Sequence, residues 1–562
     1  MRSVRRQPIW IEGVTSALVF LAIWLPRTLA LDRFVTADEP KWLARSGNFY
    51  LALSKRDWAG TFTREHPGVT ITWLGMLGYL WRYPHYIEEA PGRLTDASQI
   101  ELVLRQHGRQ PMELLWAGRV LIVLAVSIVL LAAFWGVGRL VGRKSALVGM
   151  GLMAFDPFFL GLSRLFHLDG LLSSLMFLSI ILFLNYLEDE SRHRKTLVLS
   201  GVVAGLAWLT KSPAFFLLPF VVLLTTAVLV VRWRQEGKLP RFEFKRSLET
   251  VGLWCLVAGV VFVTLFPAMW VNPLGVLSRI FAEAETYAAE GHSTVVFFHG
   301  VITLGDPGRR FYWVNYLWRT TPLVLLGLLL VLPGFLPKLR GWMTKEEHRL
   351  SATLLLFAAL FAILITLGAK KFDRYMLPLF PALDLVAALG WVAAARWLWG
   401  RRLALWRHFG CALVGLVVVL QSVLALSTFP YYLSYYNPWM GGAQKAPQTM
   451  MIGWGEGLDQ AARYLNQMPN ASNLRVLSWY PDGCFSYIFQ GHTLGTPPEW
   501  EETRALIGEV DYAVLYINQW QRRLPFPEML RYFEKQRPEQ VVVINGIEYA
   551  QVYNLKGAPP PP

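Results

Sequence analysis

Residues 14–40 read VTSALVFLAIWLPRTLALDRFVTADEP. The apolar run 14–31 is close to the length that crosses a bilayer core of about 30 Å as a helix. About seven residues beyond it stand two adjacent carboxylates, Asp38 and Glu39, followed by Pro40. The run ends in Trp24-Leu25-Pro26-Arg27 with no small-residue cleavage pattern, so it reads as a retained span rather than a removed signal peptide. Paired acids just outside a membrane helix point to chemistry at the bilayer surface.

Composition agrees with that opening. The chain is 54% hydrophobic, only 17% of its residues are charged, and its mean hydropathy is +0.35. A soluble protein of 562 residues would carry more charge and fewer long apolar runs, so the class is a polytopic membrane protein. The net charge of +15 does not signal nucleic acid, because the basic residues fall in short loops between apolar segments. Cys255 and Cys411 lie in apolar runs and Cys484 in the tail, which offers neither a disulfide framework nor a zinc cluster.

Length and apolarity predict about eleven transmembrane helices, at 14–31, 113–138, 146–163, 170–188, 196–211, 212–231, 249–269, 318–336, 351–368, 375–397 and 408–428. With Arg2, Arg5 and Arg6 in the cytoplasm, the cytoplasmic connections are Arg139–Lys144, Arg192–Lys195, Arg232–Arg246, Lys338–Arg349 and Arg396–Arg407. All are basic, as the positive-inside bias requires. Asp38, Glu39, His66, Arg164, Asp169, Lys211, Lys370, Lys371 and Arg374 then share the extracytoplasmic face with the tail after about residue 430. Singly, each reads as well as an ordinary loop charge or snorkelling anchor as it does as a site residue; together they read as a functional site.

Two outer loops, 32–112 and 270–317, are long enough to suggest function. Within the first, Val69–Trp81 is apolar but too short to span. It reads as an interfacial helix with Trp73, Tyr79 and Trp81 near the headgroups. The second carries Glu283, Glu285, His292, His299 and Asp306-Pro307-Gly308 without a diagnostic pattern. In the tail, a helix is expected at 458–466 and strands at 474–479, 512–517, 541–544 and 548–553, with a return at Gly546: a small α/β domain. Gly453-Trp454-Gly455-Glu456-Gly457 lacks the spacing of a dinucleotide fingerprint and reads as a turn into the helix. The terminal GAPPPP reads as disordered.

A carboxylate facing several cations at a membrane surface suits sugar transfer from a lipid phosphate. The phosphate leaves readily and needs cations to hold its growing charge. The incoming hydroxyl needs a base. Lys370-Lys371-Phe372-Asp373-Arg374-Tyr375 places three cations at a helix mouth, with Arg374 as a planar fork for phosphate. Asp169 opens a helix, where a cap and a substrate role are equally open. Lys211-Ser212-Pro213 turns an outer corner. His66-Pro67-Gly68 reads as a turn or a substrate contact. Asp38, Glu39, His66, Asp169, His292 and His299 are oxygen and nitrogen ligands enough for a divalent metal ion, without the tight spacing of a zinc motif.

ADEP (37–40), EHPG (65–68), SRLFHLDGLL (163–172), GLAWLTKSPA (205–214) and KKFDRYMLPLFPALDL (370–385) resemble, in order, the protein O-mannosyltransferase and aminoarabinose-transferase superfamily of GT-C glycosyltransferases. The resemblance covers roughly residues 14–400. It implies a GT-C transmembrane catalytic domain over 1–429, followed by an extracytoplasmic α/β domain over 430–562. It further implies a polyprenyl-phosphate sugar donor, transfer with inversion to an extracytoplasmic hydroxyl, and Asp38 as the catalytic carboxylate with Glu39 beside it. His66, Arg164, Asp169, Lys211, Lys370, Lys371 and Arg374 are the expected substrate contacts. A bacterial plasma-membrane enzyme is expected, acting on a protein, lipid or glycan. The tail has no likeness to the MIR insertion of eukaryotic protein mannosyltransferases. A lipid-linked sugar flippase and an oligosaccharyltransferase or glycan ligase are the alternatives.

Overall fold

The computed structural model describes residues 8–188, 193–236, 241–339, 341–400, 404–557 and 561. Arg2, Arg5, Arg6, Arg192 and Arg401, and most of the Pro-rich end, lie outside the described residues. The protein is a polytopic α-helical membrane protein with a small C-terminal sheet domain. Among the described residues seven helices are long and apolar enough to span: Trp10–Thr28, Pro111–Val141, Leu168–Glu188, Ser212–Gln235, Glu243–Leu265, Lys345–Leu367 and Leu379–Trp399. An eighth arises if Phe311–Arg319 and Pro322–Phe335, which meet at 110°, count as one span.

Of the other expected spans, 408–428 lies mostly in the helix Ala404–Leu426, while 146–163 and 196–211 are broken or short. The 146–163 segment is two helices, Arg143–Ala154 and Pro157–Leu162. Asp156 caps the second through Phe159 N at 2.8 Å, and Pro157 supplies its first residue, so the chain restarts instead of running through. The 196–211 segment is the helix Arg194–Thr210, 17 residues long.

Burial ranks the helices. Leu168–Glu188 and Leu379–Trp399 are buried over 83% and 89% of their apolar windows and form the centre, while Trp10–Thr28 and Glu243–Leu265 are buried over only 22%. The outer helices present Leu18, Leu256 and Val260 outward, as lipid-facing surfaces do. The first long loop folds onto the bundle as helices Glu39–Ser54 and Val69–Arg82. Tyr79 is fully buried within the protein, and its hydroxyl donates to the Leu43 carbonyl at 3.0 Å. Trp73 donates to the Leu265 carbonyl at 2.9 Å, and Trp81 remains half exposed.

The second long loop builds a helix, Pro273–Ala289, and an antiparallel hairpin, β1 (His292–Phe298) and β2 (Val301–Gly305). The tail forms a five-stranded sheet from β3 (Arg475–Ser478), β4 (His492–Leu494), β5 (Tyr512–Tyr516), β6 (Gln540–Ile544) and β7 (Ile547–Asn554), in the order β4-β3-β5-β7-β6. The first three strands are parallel, and β6 and β7 form an antiparallel hairpin through Asn545 and Gly546, both at positive φ. The three-residue β4 is too short to show a period in sequence.

Candidate active site

One end of the bundle collects the ionisable groups. Asp38 precedes helix Glu39–Ser54 but makes no capping hydrogen bond. Its carboxylate, a quarter exposed, stands 3.3 Å from Lys41 Nζ, 3.3 Å from Arg374 Nη2 and 3.8 Å from His167 Nε2. Burial alone would raise its pKa; Arg374, His167 and Lys41 outweigh that and hold it at about 2. Asp169, in the first turn of Leu168–Glu188, lies 2.7 Å from Lys211 Nζ. His167 Nδ1 stands 3.1 Å, and Arg374 Nε 3.6 Å, from the other Asp169 oxygen. Neither contact is aligned as a hydrogen bond, which leaves Arg374 Nε, His167 Nδ1 and Asp169 Oδ2 buried and unpartnered.

Local sequence explains these positions. The break at Asp156-Pro157 shortens the preceding helix, and the turn Ser163–His167 then delivers His167 and Asp169 to the same end. Lys211 follows Thr210 in extended conformation, and Ser212-Pro213 starts the next helix, which aims the lysine inward over the Tyr375 ring at 4.2 Å. Arg374 lies on a single 3-10 turn, Asp373–Met376, between the Phe372 ring at 4.2 Å and the Trp454 ring at 4.7 Å.

Two cavities flank this cluster, one lined by Asp169 and the other by Arg374, whose Nε lies 3.6 Å from Asp169. One, of about 270 Å³, is lined by His66, Asp169, Lys211, Tyr287, Lys370 and Tyr375, with apolar walls from Leu172, Phe215, Phe281 and Leu364. His66 has no hydrogen-bond partner on either ring nitrogen, and its ring lies 4.7 Å from that of Tyr287. Burial, then Lys211 and Arg64, push its pKa down to about 3, so it is neutral at neutral pH. Lys370 Nζ sits 3.7 Å over the Tyr287 ring. The second cavity, of about 360 Å³, lies under the C-terminal domain. Asp38, Lys41, Arg319 and Arg374 line its membrane side, and Trp454, Glu456, Tyr480 and Arg522 its domain side.

Three expected site residues point elsewhere. Glu39 has no exposed surface: it forms a two-pronged pair with Arg119 and accepts from Thr36 N, Thr36 Oγ1 and Phe166 N at 2.9, 3.0 and 2.7 Å. Arg119 also donates to the Leu31 and Phe34 carbonyls. Among the described residues Arg164 pairs with no carboxylate. Its donors reach the Leu29 and Pro430 carbonyls, and its guanidinium packs 5.3 Å from the Tyr432 ring centroid. Adjacent Lys370 and Lys371 diverge: Lys371 Nζ turns to Asp306 at 2.6 Å, and its backbone is held by His292. The six residues offered for a metal do not gather. His299 sits at the hairpin turn with its amide on Thr449 O at 2.7 Å, and no group of three or more such ligands assembles among the described residues.

Sequence reasoning left out four participants. His167 lay inside a quoted motif without a role. Arg119 carried a signal, an arginine inside an apolar helix, which demands a buried partner. Arg319 is held by Asp373 at 2.8 Å and the Leu433 carbonyl at 2.6 Å. Trp454 reached the site through a tertiary contact with no local signal.

The family model described as dolichyl-phosphate-mannose-protein mannosyltransferase matches residues 112–241, under a quarter of the chain, a stretch that contains His167, Asp169 and Lys211. The match and the ordered motifs set the membrane portion beside polytopic glycosyltransferases of that kind. Among solved structures, the chain is similar to ArnT from Cupriavidus metallidurans bound to undecaprenyl phosphate, at 13% identity and TM-score 0.48, over 97% of each chain. It is also similar to the oligosaccharyltransferase AglB from Archaeoglobus fulgidus in complex with an inhibitory peptide and a dolichol-phosphate, at 12% identity and TM-score 0.43, over 91% of this chain and 70% of that one. The S. cerevisiae Pmt1-Pmt2 complex bound to the sugar donor gives 17% identity and TM-score 0.36 over 49% and 35%. No curated protein matches the chain.

Proposed function

We propose that the protein moves a sugar from a polyprenyl-phosphate donor to an acceptor hydroxyl, with inversion, at the extracytoplasmic face of a bacterial plasma membrane. The observation that carries this reading is the place of Asp38: an ionised carboxylate in the polar cavity, linked through Arg374 to Asp169 and Lys211 in the cationic, apolar-walled one. In this reading the prenyl chain lies along Leu172, Phe215, Phe281 and Leu364. Lys211, Lys370 and Arg374 hold the phosphate, and His66 lines its pocket. The acceptor enters from the polar cavity. Asp38 takes its proton, the acceptor oxygen bonds to the anomeric carbon, and the bond from that carbon to the phosphate oxygen breaks on the opposite side.

A carboxylate with a pKa of about 2 is a poor base at neutral pH, since a general base works best near the ambient pH. Donor binding corrects this. A phosphate on Arg374 takes up part of the positive charge that stabilises the Asp38 anion, so the carboxylate becomes more basic only when the donor is in place.

The sidedness follows from charge. The other end of the bundle holds Arg139, Arg143, Arg349 and Arg396, with Arg349 on Glu188 at 3.1 Å and Arg396 clasping Glu347. The 1–429 and 430–562 portions act as catalytic membrane domain and outer cover, and acceptor identity rests with the cover's cavity. The test is a donor assay: purified protein, several radiolabelled polyprenyl-phosphate sugars and membrane extract, with the product identified. Label transfer from at least one donor supports the proposal; release of none into any acceptor overturns it.

A further inference from the structure

Trp454 of the C-terminal domain packs against the groups that surround the acidic cluster. Trp454 lies between the membrane portion and the sheet, with the Arg374 guanidinium 4.7 Å above its ring and the His167 ring edge-on at 5.1 Å. These are the two groups that face both Asp38 and Asp169. Arg374 has Phe372 on its own segment as a second aromatic partner, and His167 has Trp42 edge-on at 6.5 Å. Trp454 is the ring they share.

The backbone fixes that ring in place. The Ala37 amide donates to the Trp454 carbonyl at 3.2 Å, which ties the domain to the residue before Asp38. Trp454 N donates to Glu456 Oε2 at 2.7 Å, and Gly455 N donates to Tyr516 Oη at 2.9 Å, which anchors the turn to β5. Gly455 has φ +128°, and a Cβ there would stand 2.0 Å from the Val35 carbonyl oxygen. Glycine at 455 therefore serves both an unusual backbone angle and a close approach to the strand of chain that leads into Asp38.

We infer that Trp454 is a positioning residue for transfer: it holds Arg374 and His167 in register around Asp38 and so makes the C-terminal domain an integral wall of the active site. The ring's negative face attracts the stacked guanidinium. Its larger effect is geometric. Displacing a catalytic contact by about 1 Å can cost on the order of a hundredfold in rate. Of the three phosphate cations, Arg374 stacks on Trp454, whereas Lys211 and Lys370 line the other cavity.

This inference rests on the transferase reading, and the test separates the two. In full-length protein, Trp454→Ala should lower kcat for sugar transfer about ten- to a hundredfold, while undecaprenyl phosphate binding weakens less than in Arg374→Ala, because Trp454→Ala leaves the guanidinium charge present. Trp454→Phe, which restores a ring, should recover most of the rate. A ring needed only for folding would lower the amount of folded protein and leave its kcat per active site intact. Wild-type kcat in folded Trp454→Ala, beside an inactive Asp38→Asn, overturns the role of Trp454 and leaves the reaction standing. A wild-type protein that uses no polyprenyl-phosphate sugar overturns both.

Discussion

Asp38 and Glu39 are neighbours in sequence and opposites in environment. Glu39 faces inward with every acceptor site engaged: Arg119 on both oxygens, two backbone amides and the Thr36 hydroxyl. Asp38 faces the mouth with loosely aligned Lys41 and Arg374 at 3.3 Å, the His167 ring at 3.8 Å, and a quarter of its side chain open. A saturated buried pair has nothing to offer a substrate, and breaking it leaves an uncompensated charge. A carboxylate surrounded by unfinished contacts can exchange partners as a substrate arrives. The pairing also shows how one helix start serves both ends: Glu39 pins the loop to helix Pro111–Val141 and thereby aims Asp38.

The largest effects come from splitting that pair. Asp38→Asn keeps the shape and removes the base, so transfer should fall about 10²–10⁴-fold with the thermal midpoint nearly unchanged. Glu39→Gln should do the reverse in kind. Leaving Arg119 charged and unpaired costs about 3–5 kcal/mol, which a melting curve in detergent would read as a large loss of folded protein. The contrast collapses if folded Asp38→Asn turns over normally, or if Glu39→Gln melts like wild type and is merely slow.

The next effect separates the adjacent lysines. Lys370 lines the donor cavity, whereas Lys371 is spent on Asp306. Arg374→Ala or Lys370→Ala should weaken undecaprenyl phosphate binding roughly ten- to a hundredfold, the value of about 1.5–3 kcal/mol for a charged contact. Lys371→Ala should leave binding unchanged. Equal losses in all three would mean that the cluster acts by net charge alone.

The pattern of correct and missed residues has a physical basis. Charges at the outer ends of apolar helices are legible because the bilayer makes them costly and so conspicuous; Asp38, Asp169, Lys211 and Arg374 are of this kind, and the structure gathers all four. Direction is not legible. Sequence cannot say that Lys370 and Lys371 diverge, because β1 and Asp306 come from a loop some 65 residues away. Arg164 looks like a substrate cation until the Leu29 and Pro430 carbonyls are placed around it. The span at 146–163 was visible as hydropathy, but its break at Asp156-Pro157, which sets the height of His167, reads in sequence only as an ordinary helix start. Trp454 meets Ala37 across more than 400 residues, beyond any local pattern.

The smallest effect tests the unfinished side of the comparison without catalysis. His66 is neutral in the folded protein, with its pKa pushed down to about 3 by burial and then by Lys211 and Arg64. In the unfolded chain it titrates near its ordinary value of about 6.5. Between these two values the unfolded state binds the proton and the folded state does not, so stability rises with pH across that window and is lost as pH falls below about 6.5. From pH 7 to pH 5 this one group should remove up to about 2 kcal/mol. Thermal midpoints of wild type and His66→Gln, measured in detergent across that range, should therefore converge at pH 7 and separate at pH 5, with the variant the more stable. Saturating undecaprenyl phosphate should shrink the difference, because a phosphate beside Lys211 and Lys370 offsets the charges that keep the proton off His66. Parallel pH curves for the two proteins would mean that His66 is already satisfied, like Glu39, and belongs to the scaffold.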